Sequence, residues 1–359
     1  MEDKRITMKE IAKLAGVSIG TVHSALYGKP GIKEETRQRV IQVAKENHYQ
    51  QNTMAAALKR KPVSVVVAIP ALSSVNRYYF NNLWAALNNY KGTYKDFNVS
   101  FIEIPYYIND TLLENEFVRL YDDDSVSGII GFAGYMDPSI KSIFQEFSDR
   151  GKAVVLVGED WEPSNRLCCV LPNYEMTGKM VAELIGGRIR ENAKILICAG
   201  DVTIFSHYRI VEGFCGYIEE NGLNHQVLRK HYSHNMDDYY RSLVEVLTHE
   251  EEISACFAVT ARESVLLGKA LEETGRAGRI VTVGSDIFEE NMEFLENGVF
   301  TNLLNKNPYM QMLVALRCMV NYLVKDEKPV KKLIYVGTEI VFKSSLSMYK
   351  QGEADRLLL

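Results

Sequence analysis

Two charged residues follow apolar segments in the second half of the chain, and both suit the binding of a small polar molecule. Asp286 ends the apolar segment IVTVGSD. An ionised carboxylate in such surroundings needs partners, which the hydroxyls of a sugar or an amine would supply. Arg262 follows ISACFAVTA, and an arginine facing a cleft would favour an anionic group such as a sugar phosphate or sugar acid. The sequence also allows Asp286 to cap a helix starting near Glu289, and Arg262 to pair with Glu263 or Asp286.

Aromatic residues follow a third apolar segment. After VSVVVAIP come Asn76, Tyr78, Tyr79 and Phe80. Because aromatic faces stack on sugar rings and bases, Asn76, Tyr79 and Phe80 are predicted to contact a ligand. The alternative is that they only pack a helix onto a sheet.

The elements that must position these residues alternate in a regular order from Val63 onward. Short apolar runs predict strands, and amphipathic stretches between them predict helices. The predicted strands are VSVVVAIP, FNVSFIEIP, SGIIGFA, KAVVLVG, AKILICAG, HQVLRKHY, ISACFAVT and RIVTVGSD; the predicted helices span residues 78–90, 137–150, 175–190, 207–221 and 263–274. Two successive groups of such units predict an α/β domain of two doubly wound parallel-sheet lobes, with ligands bound beyond the carboxyl ends of the strands.

The segment TMKEIAKLAGVSIGTVHSALYGKPGI, residues 7–32, has a different character. Thr7 and Glu10 have capping-box spacing, and the pattern predicts a first helix that buries Ile11, Leu14 and Ala15. Gly16 then makes a turn before a second helix capped by Ser18. The result is a helix-turn-helix, an all-α unit that places one helix in the DNA major groove. Val22 and Leu26 are predicted to point inward; the residues predicted to meet the groove are Ile19, Gly20, Thr21, His23 and Ser24.

The distribution of charge along the chain agrees with a DNA-binding unit at one end. Residues 33–49 read as a third helix with an apolar side and with Lys33, Arg37, Arg39 and Lys45 available for phosphates. Residues 1–61 contain twelve Lys or Arg against six Asp or Glu, a net charge of +6, while the whole chain carries −5. The remainder therefore carries −11. A basic head on an acidic body suits contact with a polyanion at one end.

The chain resembles the lactose and galactose repressor family of bacterial transcription regulators over nearly its whole length. The residues that carry the resemblance are AGVS (15–18), Thr21, Val22, GKPGI (28–32), Thr36, Arg37, Tyr49, Asn52, Ala55 and Leu58. The resemblance implies a hinge that folds on operator DNA, where Leu58 from two subunits wedges into the minor groove. The predicted DNA contacts also include Thr7, Ser18, Tyr27, Thr36, Arg37, Asn52 and Ala55. The resemblance also implies an effector domain similar to periplasmic sugar-binding proteins, with Tyr79, Phe80 and Asp286 in its pocket.

The chain departs from the family at several functional positions. His23 and Ser24 stand where relatives have serine followed by arginine or lysine, Tyr27 stands where asparagine is usual, and Gln51 replaces a common proline. Because the recognition helix lacks an arginine that could bind guanine bidentately, an unusual operator is expected. Arg262 and Glu263 replace asparagine and aspartate.

Arg209 in RIVEGF resembles a family motif of arginine, two residues, glycine and an aromatic. Here three residues separate Arg209 from Gly213, which shifts the side chain by about 100° around a helix. Arg209 is therefore either a pocket residue or a surface arginine.

These patterns predict a helix-turn-helix domain over residues 1–50, a hinge over 51–61, a two-lobed effector and dimerisation domain over 62–350, and a loose tail over 351–359. The first lobe is placed at about 62–172 plus 308–326. The second is placed at about 173–306 plus 331–345, and the segment LIYVGTEIVF is read as one strand of this lobe.

The predicted partners are double-stranded operator DNA, a small-molecule effector (a sugar, sugar phosphate or sugar acid) and a second copy of the chain in a homodimer or tetramer. No apolar run reaches the roughly 20 residues that span a bilayer, and residues 1–10 lack a secretory signal, so a cytoplasmic protein is expected.

An enzyme is not expected, because the chain lacks P-loop, HExxH, GxSxG and GxGxxG motifs. Glu159, Asp160 and seven histidines could still supply acid or base groups. No cofactor is expected, and the six cysteines lack CxxC spacing, which argues against a zinc site. The alternatives are a sugar-binding protein or a sugar-phosphate enzyme that does not bind DNA.

Overall fold

The computed structural model divides the chain into two compact units, Met1–Arg60 and Lys61–Leu359. The residues that it describes are 6–26, 28–47, 49, 61–73, 76–107, 113–134, 138–161, 165–232 and 235–350. Within these ranges the first unit is helical, and the second combines two sheets with helices on their faces.

The described part of the first unit holds the helices α1 (Met8–Ala15), α2 (Ile19–Leu26) and α3 (Glu34–Glu46). The predicted capping box is confirmed: the Thr7 amide and hydroxyl donate to Glu10 Oε2 at 2.7 and 2.8 Å, and the Glu10 amide donates to Thr7 Oγ1 at 3.3 Å. Gly16 ends α1 with φ 65°, a conformation that glycine adopts without a steric cost. Ser18 Oγ accepts from the Thr21 amide at 3.0 Å and so caps α2, as predicted.

The core of the first unit differs from the prediction on one side of α1. Ile11 and Ala15 are buried, but Ala12 takes the third inward position and Leu14 is 58% exposed. A helical period predicts where an apolar stripe lies but not which residue at its edge is buried. The packing of α2 and α3 against α1 buries Ala12 and leaves Leu14 exposed. In α2, Val22 is buried as predicted, whereas Leu26 lies only at the edge of the core.

The second unit builds its sheets from short strands joined by helices. The strands in the described ranges are β1 (Val63–Pro70), β2 (Val99–Tyr106), β3 (Val126–Gly131), β4 (Ala153–Val157), β5 (Cys168–Pro172), β6 (Lys194–Cys198), β7 (Gln226–Lys230), β8 (Ile253–Ala258), β9 (Val281–Ser285), β10 (Asn302–Asn305), β11 (Leu333–Val336) and β12 (Glu339–Phe342). The helices are α4 (Arg77–Tyr90), α5 (Leu113–Tyr121), α6 (Pro138–Asp149), α7 (Tyr174–Gly186), α8 (Phe205–Glu220), α9 (Met236–His249), α10 (Ala261–Glu273), α11 (Glu289–Glu296), α12 (Pro308–Lys325) and α13 (Leu346–Lys350), with 3-10 turns at Lys91–Phe97 and Lys343–Ser345.

The two sheets share one doubly wound topology. The first has the order β11-β5-β4-β3-β1-β2 with all neighbours parallel, and the second has the order β12-β10-β9-β8-β6-β7 with only β12 antiparallel. We call the first sheet and its helices the first lobe, and the second sheet and its helices the second lobe. In each sheet the order reverses beside the first strand, β1 or β6, which is where such folds bind ligands.

The chain passes between the lobes three times within the described ranges. It leaves the first sheet after β5, returns after β10 with α12, which packs on α4 and on β3, β4 and β5, and leaves again between β11 and β12. The segment LIYVGTEIVF is therefore not one strand of the second lobe. Its first half is β11 in the first sheet and its second half is β12 in the second sheet, because the residues between them cross from lobe to lobe.

Sequence patterns missed the strands β5 and β10 and the helices α5, α9 and α13. β10 and α13 are only four and five residues long, too short for a periodic pattern to stand out. The eight predicted strands and five predicted helices are all present with shifted ends.

Candidate functional site

The first unit presents one face of α2 and its flanking turn to solvent. Ile19 is 50% exposed and Gly20 is exposed, while Thr21, His23 and Ser24 are partly exposed. An exposed isoleucine at the start of a short helix has no role in the core of this unit. It suits the position from which a recognition helix contacts thymine methyl groups in a major groove.

Four predicted DNA contacts already have partners within the unit. Thr7 bonds with Glu10, and Ser18 Oγ lies 2.9 Å from Thr21 Oγ1. Arg37 is the clearest revision: its guanidinium donates to the carbonyls of Ser24, Ala25 and Lys29 at 3.2, 3.3 and 2.7 Å.

Arg37 therefore holds the carboxyl end of α2 against α3, where a cation also suits the helix dipole, and the predicted phosphate contact is replaced by a structural role. Thr36 is partly buried on the same helix. The remaining predicted DNA contacts, Tyr27, Asn52, Ala55 and Leu58, lie outside the described residues.

A cavity of about 710 Å³ lies between the two lobes of the second unit. Five of the six predicted effector residues line it, namely Asn76, Tyr79, Phe80, Arg262 and Asp286. Its aromatic lining comes mainly from the first lobe, where Phe80 meets Phe132 edge to face at 5.0 Å. Phe80 is also 2% exposed, so it both packs α4 onto the sheet and closes the cavity wall.

Asp286 lies on the floor of the cavity directly after β9. It is 1% exposed, and its Oδ2 pairs with Lys306 Nζ at 3.1 Å, while no hydrogen-bond partner reaches its Oδ1. Burial raises the pKa of this carboxyl, and Lys306 opposes that shift. Asp286 also has φ 70°, a strained conformation that is found mostly where a site requires it. It does not cap α11, whose amino terminus has no side-chain cap.

A chain of hydrogen bonds runs along this floor. Lys306 donates to the Val259 carbonyl at 2.9 Å, Gln311 Nε2 donates to the Lys306 carbonyl at 2.8 Å, and the Tyr79 hydroxyl donates to Gln311 Oε1 at 2.7 Å. Gly158 lies so close to this hydroxyl that a Cβ there would stand 2.8 Å from it. The chain thus leads from Asp286 to the residue that precedes Glu159.

Glu159 is a buried carboxylate that reaches across the cavity. It follows β4 in the first lobe, and Ser206, in the first turn of α8 in the second lobe, lines the same cavity and lowers the pKa of Glu159 through its amide and hydroxyl. Burial raises the pKa of Glu159 to about 7. At neutral pH, Glu159 is therefore divided between its charged and neutral forms.

The second lobe holds the opposite wall with a second buried carboxylate. Glu263 Oε1 accepts from the Gly200 amide at 3.0 Å and the Tyr239 hydroxyl at 2.8 Å, and Oε2 accepts from Thr260 Oγ1 at 3.0 Å. Burial raises the pKa of Glu263 to about 7. These bonds anchor the loop after β6 rather than facing a ligand.

His207 supports the same loop. His207 Nδ1 lies 3.1 Å from the Asp201 amide nitrogen and 3.2 Å from the Asp201 carbonyl oxygen. Burial lowers the pKa of His207 to about 3, so the ring is neutral at physiological pH.

Arg262 pairs with neither Glu263 nor Asp286. Its guanidinium lies 4.5 Å from the centre of the Tyr232 ring and donates to the Tyr232 hydroxyl at 3.0 Å. Arg209, the sixth predicted effector residue, does not line the cavity. It pairs with Glu175 and Glu212 on the outer surface of α7 and α8, and Ile210 lines the cavity beside it.

Sequence reasoning missed several polar residues that line the cavity, chiefly Ser206, His207, Tyr232 and Lys306. Glu159 was noted only as a possible acid or base. Glu159 and Lys306 follow parallel strands, so the strand-end rule that identified Asp286 would also have found them. For Lys306 the strand itself, β10, was not recognised.

Within the described residues, no helix is long and apolar enough to cross a bilayer. No cluster of three or more His, Cys, Asp or Glu side chains in this part of the chain is arranged to hold a metal ion.

Two family descriptions match the chain. Residues 7–52 match "Bacterial regulatory proteins, lacI family", and residues 125–327, more than half of the chain, match "Periplasmic binding protein domain". The first match coincides with the helix-turn-helix, and the second covers much of both lobes.

The curated relatives include catabolite control protein A from several staphylococci. The protein from Staphylococcus epidermidis is 26% identical over 220 residues, which is 61% of this chain and 63% of that protein. The protein from Staphylococcus xylosus is 31% identical over 144 residues, which is 40% of this chain and 42% of that protein. The matched region thus spans less than two thirds of these relatives.

Solved structures share the fold at low identity. A putative LacI transcriptional regulator from Bacteroides fragilis has a TM-score of 0.68 at 17% identity and covers 80% of this chain and 100% of that one. A periplasmic ribose ABC transporter protein from Conexibacter woesei has a TM-score of 0.69 at 16% identity and covers 82% and 96%.

Proposed function

We propose that this chain, which belongs to the periplasmic binding protein domain family over residues 125–327 and carries a lacI-family helix-turn-helix over residues 7–52, is a DNA-binding transcription regulator whose operator affinity is set by a sugar or sugar derivative. One observation carries the proposal: a helix-turn-helix with an exposed recognition face and a ligand-sized cavity between two lobes occur in a single chain. A sugar-binding protein without DNA binding is not favoured, because it would have no use for the first unit.

The proposed architecture is a DNA-binding domain over residues 1–50, a hinge over 51–61 and an effector domain over 62–350. The chain acts as a homodimer or tetramer in the cytoplasm, which places two recognition helices on a pseudo-palindromic operator. Exposed Ile19, with His23 and Ser24, reads the bases. The absence of arginine from α2 removes the strongest contact to guanine, so thymine methyl groups carry more of the specificity.

Effector binding is proposed to act through the balance between lobe arrangements. A ligand shifts that balance only by as much as its affinities for the two arrangements differ. Residues of both lobes line the cavity. A bound sugar therefore contacts both lobes, and its affinity differs between the two lobe arrangements. A repressor is the simplest form of such a regulator.

The matches are to regulators and binding proteins rather than to enzymes, and we propose that the chain does not catalyse a reaction. The buried carboxylates agree with this. Glu263 is occupied by three protein donors, and Asp286 is paired with Lys306, so both carboxylates already have partners within the protein.

The test is a gel-shift titration of the purified chain with DNA from upstream of its own gene, at physiological salt. We expect binding at least a hundredfold tighter than to random duplex, in line with the specificity ratios of DNA-binding proteins, and a shift of the midpoint by at least one sugar or sugar derivative. The substitution Ile19→Ala should reduce the preference, whereas Leu14→Ala, on the exposed flank of α1, should not. Equal affinity for random duplex with and without sugars would refute the proposal.

A further inference from the structure

We propose that the effector carries a protonated amine, as amino sugars do, and that Glu159 and Asp286 together bind this amine on the floor of the cavity. The inference rests on the proposed role of the cavity as the effector site. It goes further by naming the chemical class of the ligand and a recognition residue, Glu159, that the sequence did not assign to ligand binding.

The cavity has an excess of negative charge. Its ionisable lining consists of four carboxylates, two cations and one histidine that burial keeps neutral: Glu159, Asp201, Glu263, Asp286, Arg262, Lys306 and His207. With all carboxylates ionised the lining carries a charge of −2. Buried charges require compensation, so this lining disfavours a phosphate or carboxylate ligand and favours a cation.

Two of the four carboxylates are already engaged by the second lobe. Glu263 accepts three hydrogen bonds from protein groups, and Asp201 Oδ1 accepts from the amide and hydroxyl of Thr203 at 2.9 and 2.7 Å. Asp286 differs, because its buried Oδ1 has no partner. This oxygen is the acceptor that a ligand donor must satisfy.

Glu159 and Asp286 act on the same small region. Burial raises the pKa of the Tyr79 and Tyr174 phenols, and the charges of both carboxylates raise it further. Lys306 lowers the pKa of both carboxyls. The charged and titratable groups that face Glu159 are thus Lys306, Asp160 and the phenols of Tyr79 and Tyr174. The amide and hydroxyl of Ser206 also lower the pKa of Glu159. Burial raises the pKa of both carboxyls, and an ammonium bound beside them would favour their ionised forms. With both ionised, Lys306 balances one negative charge and the ligand ammonium balances the other.

Arg262 belongs to the wall opposite this floor, where its charge lowers the pKa of the neighbouring Glu263. Its guanidinium is stacked on Tyr232 and bonded to the Tyr232 hydroxyl, and it lies on α10 in the wall that also carries Glu263. The sequence analysis expected Arg262 to favour a sugar phosphate or a sugar acid. The preferred class of ligand is instead an amine.

The test compares matched ligands that differ in a single group. Isothermal titration of the full chain at pH 7 with D-glucosamine, D-galactosamine and D-mannosamine is set against the parent hexoses and the corresponding hexose 6-phosphates. We expect at least one amino sugar to bind ten times more tightly than its parent hexose and its phosphate. The inference is overturned if every parent hexose or phosphate binds as well as the amino sugar, or if no amino sugar binds.

Two variants locate the amine. Glu159→Gln and Asp286→Asn keep size and remove charge, and each should reduce the preference for the amino sugar at least fivefold, with less effect on the parent hexose. Asp237→Asn, on exposed α9, is the matched control. Retention of the preference in both variants would overturn the assignment. A chain that binds its upstream DNA and responds to a neutral hexose would refute this inference alone and leave the proposed function intact.

Discussion

Glu159 joins the two lobes through one side chain. It belongs to the first lobe by sequence, but the amide and hydroxyl that favour its charged form are those of Ser206 in the second. A carboxylate at the amino terminus of a helix is favoured by the exposed amides and the helix dipole, whereas its burial works in the opposite direction. The raised pKa indicates that burial is the larger effect, so the protonation of Glu159 is coupled to folding.

This coupling predicts a pH dependence of stability. The pKa of Glu159 is about 7 in the folded chain against an ordinary value of 4.5, so between these pH values the folded chain binds a proton that the unfolded chain has lost. Stability should therefore fall as pH rises from 5 to 7.5. The contribution is on the order of 3 kcal/mol at most, from 1.36 kcal/mol per pKa unit.

Urea unfolding of the wild type and Glu159→Gln across this range isolates the effect, because the other titrating groups are shared. The stability of the wild type relative to the variant should decrease as pH rises. The exposed Glu183→Gln serves as control and should track the wild type. A difference between wild type and Glu159→Gln that does not change with pH would contradict the assignment.

At the scale of elements, the contact between α7 and α8 depends on two glycines. A Cβ at Gly213 would lie 2.0 Å from the Glu175 carbonyl oxygen, and a Cβ at Gly178 would lie 2.0 Å from the Ile210 carbonyl oxygen. The two helices thus approach backbone to backbone. The glycine of RIVEGF has a packing role, and its neighbour Ile210 rather than Arg209 faces the cavity.

This geometry predicts opposite outcomes for two substitutions in α8. Gly213→Ala forces the helices apart and should destabilise the chain by roughly 2 kcal/mol or more, in the range of overpacked cores. Gly216→Ala adds a Cβ whose nearest neighbour, Glu220 Oε1, is 4.0 Å away, and should stabilise by up to about 1 kcal/mol through helix propensity. Thermal unfolding followed by circular dichroism measures both. Equal effects of the two substitutions would show that α7 and α8 separate without cost.

At the scale of the whole second unit, a cluster of contacts joins the lobes beside the cavity. The rings of Tyr78 and Phe288 pack at a tilt of 36° with their centroids 4.4 Å apart, Arg77 pairs with Glu290, and Asn82 Nδ2 donates to the Ile287 carbonyl at 3.5 Å. The ion pair is half exposed and worth about 0–1 kcal/mol, whereas an aromatic pair adds roughly 0.5–1.5 kcal/mol beyond the area it buries. The ring contact is therefore the stronger tie.

These magnitudes predict how the lobes open. Phe288→Ala should accelerate effector release about tenfold, and Glu290→Gln only about twofold, since about 1.4 kcal/mol corresponds to a factor of ten. Stopped-flow displacement of the bound effector measures both rates. A larger effect of Glu290→Gln, or no effect of Phe288→Ala, would place the closing contact elsewhere.

Local interactions made much of this protein predictable. The caps at Thr7 and Ser18, the turn at Gly16 and the order of strands and helices depend on residues close in sequence, and a resemblance carried by residues 15–58 indicated the family. The strand-end rule placed Asp286 in the cavity because parallel strands end at one edge.

Only the tertiary structure decided the partners of the charged groups. Arg209 meets Glu175, Arg262 meets Tyr232, and Glu159 meets Ser206, each across tens of residues. The split of LIYVGTEIVF between two sheets and the choice of Ala12 over Leu14 have the same origin. A sequence pattern defines which residues can be buried or paired, but the partner depends on which elements the completed fold brings to the same place.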